Sequence, residues 1–152
     1  MARIFSLMAM VLTLAVTALP ARAADSDADK VAVAREMIHA WKVADWRKVA
    51  DLFAEDGVLR SMMIEPVVGR SAIYDRIAAL GAGAPGGVIL DVSHMGVVDG
   101  LVFIERVDRF VYKGRPGSVP VVGVLDIRDG KVREWREYYD RAQLLNALGE
   151  AR

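Results

Sequence analysis

Asp99-Gly-Leu-Val-Phe-Ile-Glu-Arg-Val-Asp-Arg-Phe-Val-Tyr-Lys-Gly114 is one run of strand-forming residues between two turn signals. Val, Ile, Phe and Tyr suit a pleated surface, and Asp99-Gly100 supplies the positive backbone angles of a two-residue hairpin. The same alternation continues outward in both directions. Turn signals recur at Gly114-Arg-Pro-Gly117 and Asp129-Gly130 and divide the second half into four expected antiparallel strands: Val88 to Val98, Leu101 to Tyr112, Val119 to Arg128, and Lys131 to Asp140. A helix is expected from Arg141 to Leu148.

Upstream of Val88 the apolar period lengthens to that of helices. Val31, Ala34, Ile38 and Trp41 make one stripe over Ala28 to Val43. Asp45 can cap a second short helix whose inner face is Val49, Leu52 and Phe53, with Asp56-Gly57 ending it. Ser71 as cap, Ile73, Ile77 and Leu80 as stripe and Gly81 as stop predict a third. Helices first and a meander afterwards specify an α+β layer packing rather than alternating βαβ units. The connection Gly81-Ala-Gly-Ala-Pro-Gly-Gly87 lacks the Gly-Lys-Ser/Thr ending of a phosphate loop and does not lead from a strand into a helix.

Met1-Ala-Arg3, the uncharged apolar run Ile4 to Leu19, and Ala21-Arg-Ala23 have the three parts of a secretory signal, with a cut expected after Ala23. The run is shorter than the roughly 20 residues of a spanning helix, so no stable membrane anchor and a periplasmic or secreted location are expected. One domain, residues 24 to 152, remains. Cysteine is absent, so the core alone must hold it. Of 20 Lys and Arg, Arg3 and Arg22 leave with the leader, so 18 basic groups face 20 acidic ones. Such a balance disfavours a nucleic-acid partner, which needs a basic face, and favours an uncharged small molecule.

His39 and His94 have no companion spacing for a metal site, and no Gly-x-Ser-x-Gly elbow supports a nucleophilic serine. His94 shares strand parity with Val88, Leu90 and Val92 and reads as a hydrogen-bonded core histidine. Arg106 and Asp108 share a face with Val102, Ile104, Phe110 and Tyr112, while Glu105 and Arg109 lie on the other. Alternation alone does not choose the inward face. On spacing alone the Arg106–Asp108 pair reads as a structural salt bridge or a catalytic pair, and ordinary ion pairs are far more numerous. Asp140, where the last strand meets a helix, reads as an N-cap or a pocket carboxylate.

Glu105-Arg-Val-Asp108, Gly123-Val124, Gly130-Lys131, Trp135-Arg136-x-Tyr138-x-Asp140 and Gly69-Arg70 together resemble the limonene-1,2-epoxide hydrolase family, within the nuclear transport factor 2-like and polyketide-cyclase-like domains. The resemblance runs from about Lys30 to Leu148. It implies a cone-shaped domain in which helices and a strongly curved, mainly antiparallel sheet enclose a deep apolar pocket. It also implies a homodimer, no metal or other cofactor, and one-step hydrolysis of an epoxide.

Carried to matching positions, the resemblance makes Asp108 the acid on the epoxide oxygen, Asp140 the base for the attacking water, and Arg106 the clamp on both. A Tyr and an Asn that position the water in the family fall on Leu59 and Ser61, which with Met62 are the expected substrate-binding residues. Idealised hairpins pair Asp108 with Gly123 and Gly123 with Arg136, and a flat sheet would then hold Asp108 and Asp140 roughly 16 Å apart. Curvature or a bulge must close that distance. An isomerase or cyclase of the same shape, and a noncatalytic module binding an apolar ligand, are the competing readings.

Overall fold

The computed structural model describes residues 24–80 and 87–150. The expected leader and residues 81–86 of the glycine-rich connection lie outside them.

Helix α1 (Asp27–Lys42) begins at a reciprocal cap: Ser26 Oγ accepts from Asp29 N at 3.2 Å, and Asp29 Oδ2 accepts from Ser26 N at 3.0 Å. It buries Ala34, Met37, Ala40 and Trp41, so its inner stripe is centred on Met37. Helix α2 (Trp46–Asp51) starts at the expected cap, with Asp45 accepting from Lys48 N at 2.9 Å.

That second helix stops before Phe53, which instead opens strand β1 (Phe53–Ser61). The strand is hidden in the sequence by Ala54-Glu-Asp-Gly57, residue types depleted from sheets. An irregular register between Phe53 and Val58 carries the chain through them. A Cβ at Gly57 would lie 3.0 Å from Ala54 O and 3.1 Å from Phe53 Cβ, so the close approach suits glycine. Strand β2 (Val67–Val68) pairs back on β1, and Gly69, at φ +91°, leads into α3 (Arg70–Leu80). This helix starts ahead of Ser71, the expected cap. Ile73 N donates to Gly69 O, and the Arg70 guanidinium donates twice to Phe53 O, at 2.8 and 3.1 Å, tying the helix start to β1.

The meander follows as β3 (Val88–Val98), β4 (Leu101–Tyr112), β5 (Arg115–Arg128) and β6 (Lys131–Tyr139), then helix α4 (Arg141–Leu148). The sheet order is β2-β1-β6-β5-β4-β3, antiparallel throughout except where β1 lies parallel to β6. It curves strongly around α1 and α3, and Met37, Phe53, Ile73, Ile77, Ile104 and Leu125 fill the space between.

The three hairpins turn on Asp99-Gly100, Lys113-Gly114 and Asp129-Gly130, each with both φ angles positive. The middle one differs from expectation. Because Lys113-Gly114 makes the turn, Arg115-Pro-Gly-Ser118 belongs to β5, and the register moves by four residues: Asp108 faces Val119, while Gly123 faces Ile104 and Glu137. A register irregularity at Ser93 corrects a second expectation. Val92 pairs with Arg106 but His94 with Glu105, so parity reverses beyond Ser93. Met95 and Val97 therefore pack toward the core, and the His94 side chain is 81 % exposed, paired with Glu105 Oε2 at 2.8 Å.

Candidate active site

Burial settles the inner face of β4. Val102, Ile104 and Arg106 are buried in sequence, and Asp108 follows them into a cavity of about 400 Å³. The cavity lies between the concave face of the sheet and the helices, with Trp41, Leu59, Leu90, Phe110, Val119 and Leu148 among its apolar walls. On β6 the same alternation sends Trp135, Glu137 and Tyr139 inward. Gly123 stands between the Ile104 and Glu137 positions, and the Arg106 guanidinium lies over it: a Cβ there would meet Nη1 at 2.7 Å.

Arg106, only 3 % exposed, therefore reaches across β5 to a second carboxylate. Its Nε donates to Asp108 Oδ1 at 2.7 Å and its Nη2 to Asp108 Oδ2 at 3.1 Å, and Nη2 also donates to Glu137 Oε2 at 2.5 Å. One planar fork holds two carboxylates.

The expected trio is thus only partly assembled. Arg106 and Asp108 meet as anticipated, but Asp140 is exposed and caps α4, its Oδ1 accepting from Gln143 N at 3.0 Å. The carboxylate beside Arg106 is Glu137. Asp140 has the parity of Tyr138, which is 42 % exposed, whereas Glu137 has that of the buried Trp135. Reading inward from Trp135 would have found it. Leu59 and Ser61 line the cavity as expected, with Ser61 beside Glu137 in the parallel β1–β6 pairing. Met62 does not. It has the opposite parity and is 43 % exposed, and only its backbone reaches the site, donating from N to Glu137 O at 3.1 Å.

A family profile described as the SnoaL-like domain matches residues 34–135, which include Arg106, Asp108 and the strand that carries both. The chain belongs to this SnoaL-like family. In three dimensions it is similar to an epoxide hydrolase of Mycobacterium tuberculosis described as LEH-like, at TM-score 0.68 and 19% identity, over 82% of this chain and 92% of that one. It is also similar to a putative polyketide cyclase of Xanthomonas campestris, at TM-score 0.69 and 17% identity, over 80% and 98%. A third is a Catenulispora acidiphila protein described as having a ketosteroid isomerase-like fold, at TM-score 0.67 and 23% identity, over 77% and 92%. Identities this low establish a shared fold.

The electrostatics of the SnoaL-like pocket follow from burial. Glu137 is pushed up to about 7, chiefly because its charge is removed from water and further by the nearby Asp108, with Arg106 opposing. Asp108 is raised for the same leading reason, again against the pull of Arg106. Burial works against the Arg106 charge, but both carboxylates together outweigh it and hold the guanidinium protonated. Two carboxylates sharing one cation in an apolar cavity retain a proton near neutral pH, and that proton belongs to the pair. The cluster can therefore give and take a proton at adjacent points. Among the described residues, no three His, Asp or Glu gather as metal ligands.

Proposed function

We propose that this SnoaL-like domain hydrolyses a lipophilic epoxide to a vicinal diol, with Asp108 as acid, Glu137 as base and Arg106 as the clamp that holds both. The carrying observation is a single buried guanidinium bridging two carboxylates of raised pKa on the floor of an apolar cavity. An epoxide is strained, but its alkoxide leaves poorly, so attack and protonation must coincide, and a dyad holding one proton supplies both. Ser61, a cavity-lining hydroxyl residue paired with Glu137 across β1 and β6, supports Glu137 as the carboxylate that meets the water. In the reactive form the proton is on Asp108. Glu137 takes a proton from water, the water oxygen attacks a ring carbon, the C–O bond opens, and Asp108 protonates the departing oxygen.

Turnover across a panel of apolar epoxides tests this. Diol formation is expected, reduced by about 100-fold or more in Asp108→Asn and in Glu137→Gln. No turnover of any epoxide overturns it. Export through the leader and assembly as a homodimer belong to the same reading; N-terminal sequencing of the exported protein and light scattering test them.

One observation favours a second reading. A carboxylate near pKa 7 in an apolar pocket whose wall at Leu59 offers no hydrogen bond also suits proton transfer at carbon, as in an isomerase or cyclase. Deuterium uptake by a carbonyl compound, without epoxide turnover, would select it.

A further inference from the structure

One end of the Arg106 fork has no acceptor. Nε and Nη2 are taken up by Asp108 and Glu137, but Nη1 is sealed from solvent and has no hydrogen-bond partner among the described residues. Leaving a buried N–H of a cation without a partner is costly, the more so because burial already works against the Arg106 charge. What faces the guanidinium on that side is a ring. Its Cζ lies over the Trp135 indole, 5.5 Å from the ring centroid. Nη1 is the end turned toward Gly123 beside that indole: a Cβ at Gly123 would lie 2.7 Å from Nη1 and 2.8 Å from Trp135 Nε1.

A guanidinium within about 6 Å of an indole ring is attracted by the negative face of the ring, most strongly where both are out of water. Arg106 and Trp135 are each 3 % exposed. The indole is itself fixed. It stacks on Phe53, with ring centroids 6.3 Å apart and planes 19° apart, and it stands two residues before Glu137 on the inward face of β6. Gly123, which pairs with Glu137 across β5 and β6, has no side chain to separate the cation from the ring. A ring also differs from an acceptor in what it does to the dyad. A third carboxylate here would satisfy Nη1 but would share the Arg106 charge three ways and make the dyad hold its proton more tightly; the indole face carries no net charge.

We infer that Trp135 is the positioning residue of the dyad: its ring face holds the free end of the Arg106 fork and keeps the guanidinium aimed at Asp108 and Glu137. In this role Trp135 acts through Arg106 and exchanges no proton itself. With the ring face weakened, the guanidinium retreats from Glu137, its pull on that carboxylate falls, and the proton is held to higher pH. The change is about half a pH unit for about 1 Å of retreat, from Coulomb attraction at an effective dielectric constant of about 20. The role concerns the dyad whatever reaction it serves; only its effect on turnover rests on the epoxide reading above.

Fluorinated tryptophans, incorporated in place of Trp135 alone in the full chain, weaken the ring face stepwise at nearly constant shape and so test this without emptying the core. Carbon-13 NMR of labelled glutamate carboxyls reads the titration, with the Glu137 signal assigned by its loss in Glu137→Gln. The midpoint, about 7 in the native protein, should climb with each added fluorine. The whole series should move it by about half a pH unit. The same series at Trp46, which packs edge-on against Trp41 and does not line the cavity, should leave it in place. An unmoved midpoint in the Trp135 series overturns the inference, as does an equal movement from Trp46, which would mark a general disturbance of the core. With an epoxide that is turned over, the acid limb of the pH–rate profile should climb by the same amount as the midpoint. If no epoxide is turned over, the function reading fails and the carboxyl titration still decides this one.

Discussion

Replacing Glu137 by Gln should flatten the pH dependence of folding stability, in a direction and by an amount that follow from its surroundings. An unfolded glutamate titrates at the usual 4.5, but in the pocket burial raises it to about 7. Between those values the folded protein keeps a proton that the unfolded chain has released, so stability falls as pH rises through this window. Below about 4.5 both states are protonated and the penalty is absent; above about 7 it is complete. At about 1.4 kcal/mol per pKa unit the full loss is about 3 kcal/mol, and Asp108, also raised, adds in the same direction. The Glu137 side chain is only 11% exposed, so solvent screening takes little from this figure. Urea unfolding of both proteins at intervals from pH 4.5 to 8 reads the difference. The wild type should lose about 3 kcal/mol relative to Glu137→Gln across that range, with equal m-values. Parallel curves would refute the reasoning, because they would mean that Glu137 ionises as freely in the pocket as in water.

Other outcomes follow from the same geometry. Arg106→Met leaves two buried carboxylates without their cation and should cost about 3–5 kcal/mol above pH 7 and distinctly less at pH 5, where they take up protons; the same unfolding series measures it. Asp140→Ala removes the acceptor of the Gln143 N–H and should cost about 1 kcal/mol through the helix cap, with turnover retained. His94→Gln should change stability by less than about 0.5 kcal/mol, since the ring and its partner Glu105 are both exposed, whereas a core histidine would cost several times more.

The fold was legible wherever a local device dictates it. Asp99-Gly100 and Asp129-Gly130 form the two-residue turns that their φ preferences require, and Asp45 and the apolar stripes place the first helices. Register was less legible. Gly114-Arg-Pro-Gly117 looks like the turn, yet Lys113 takes φ +50° and closes the hairpin early, and nothing in lysine's own preferences announces that. One extra residue at Ser93 was enough to turn His94 from the core to solvent.

The site was half legible for the same reason. Arg106 and Asp108 are two residues apart on one strand, so alternation joins them without knowledge of register. Their third partner comes from two strands away, and a register wrong by four residues cannot identify it. Glu137 was concealed between Arg136 and Tyr138 in a strand rich in charge, although its parity with Trp135 marks it as inward. Asp140, at the strand end, is occupied by the helix that follows it.

Glu137, rather than Asp140, is the carboxylate proposed to serve the water. Turnover of an epoxide in ¹⁸O-labelled water, compared among wild type, Glu137→Gln and Asp140→Asn, tests it directly. Labelled diol from the wild type and Asp140→Asn at comparable rates, with Glu137→Gln slower by about 100-fold or more, is the predicted result. Loss of turnover in Asp140→Asn with Glu137→Gln still active would contradict it.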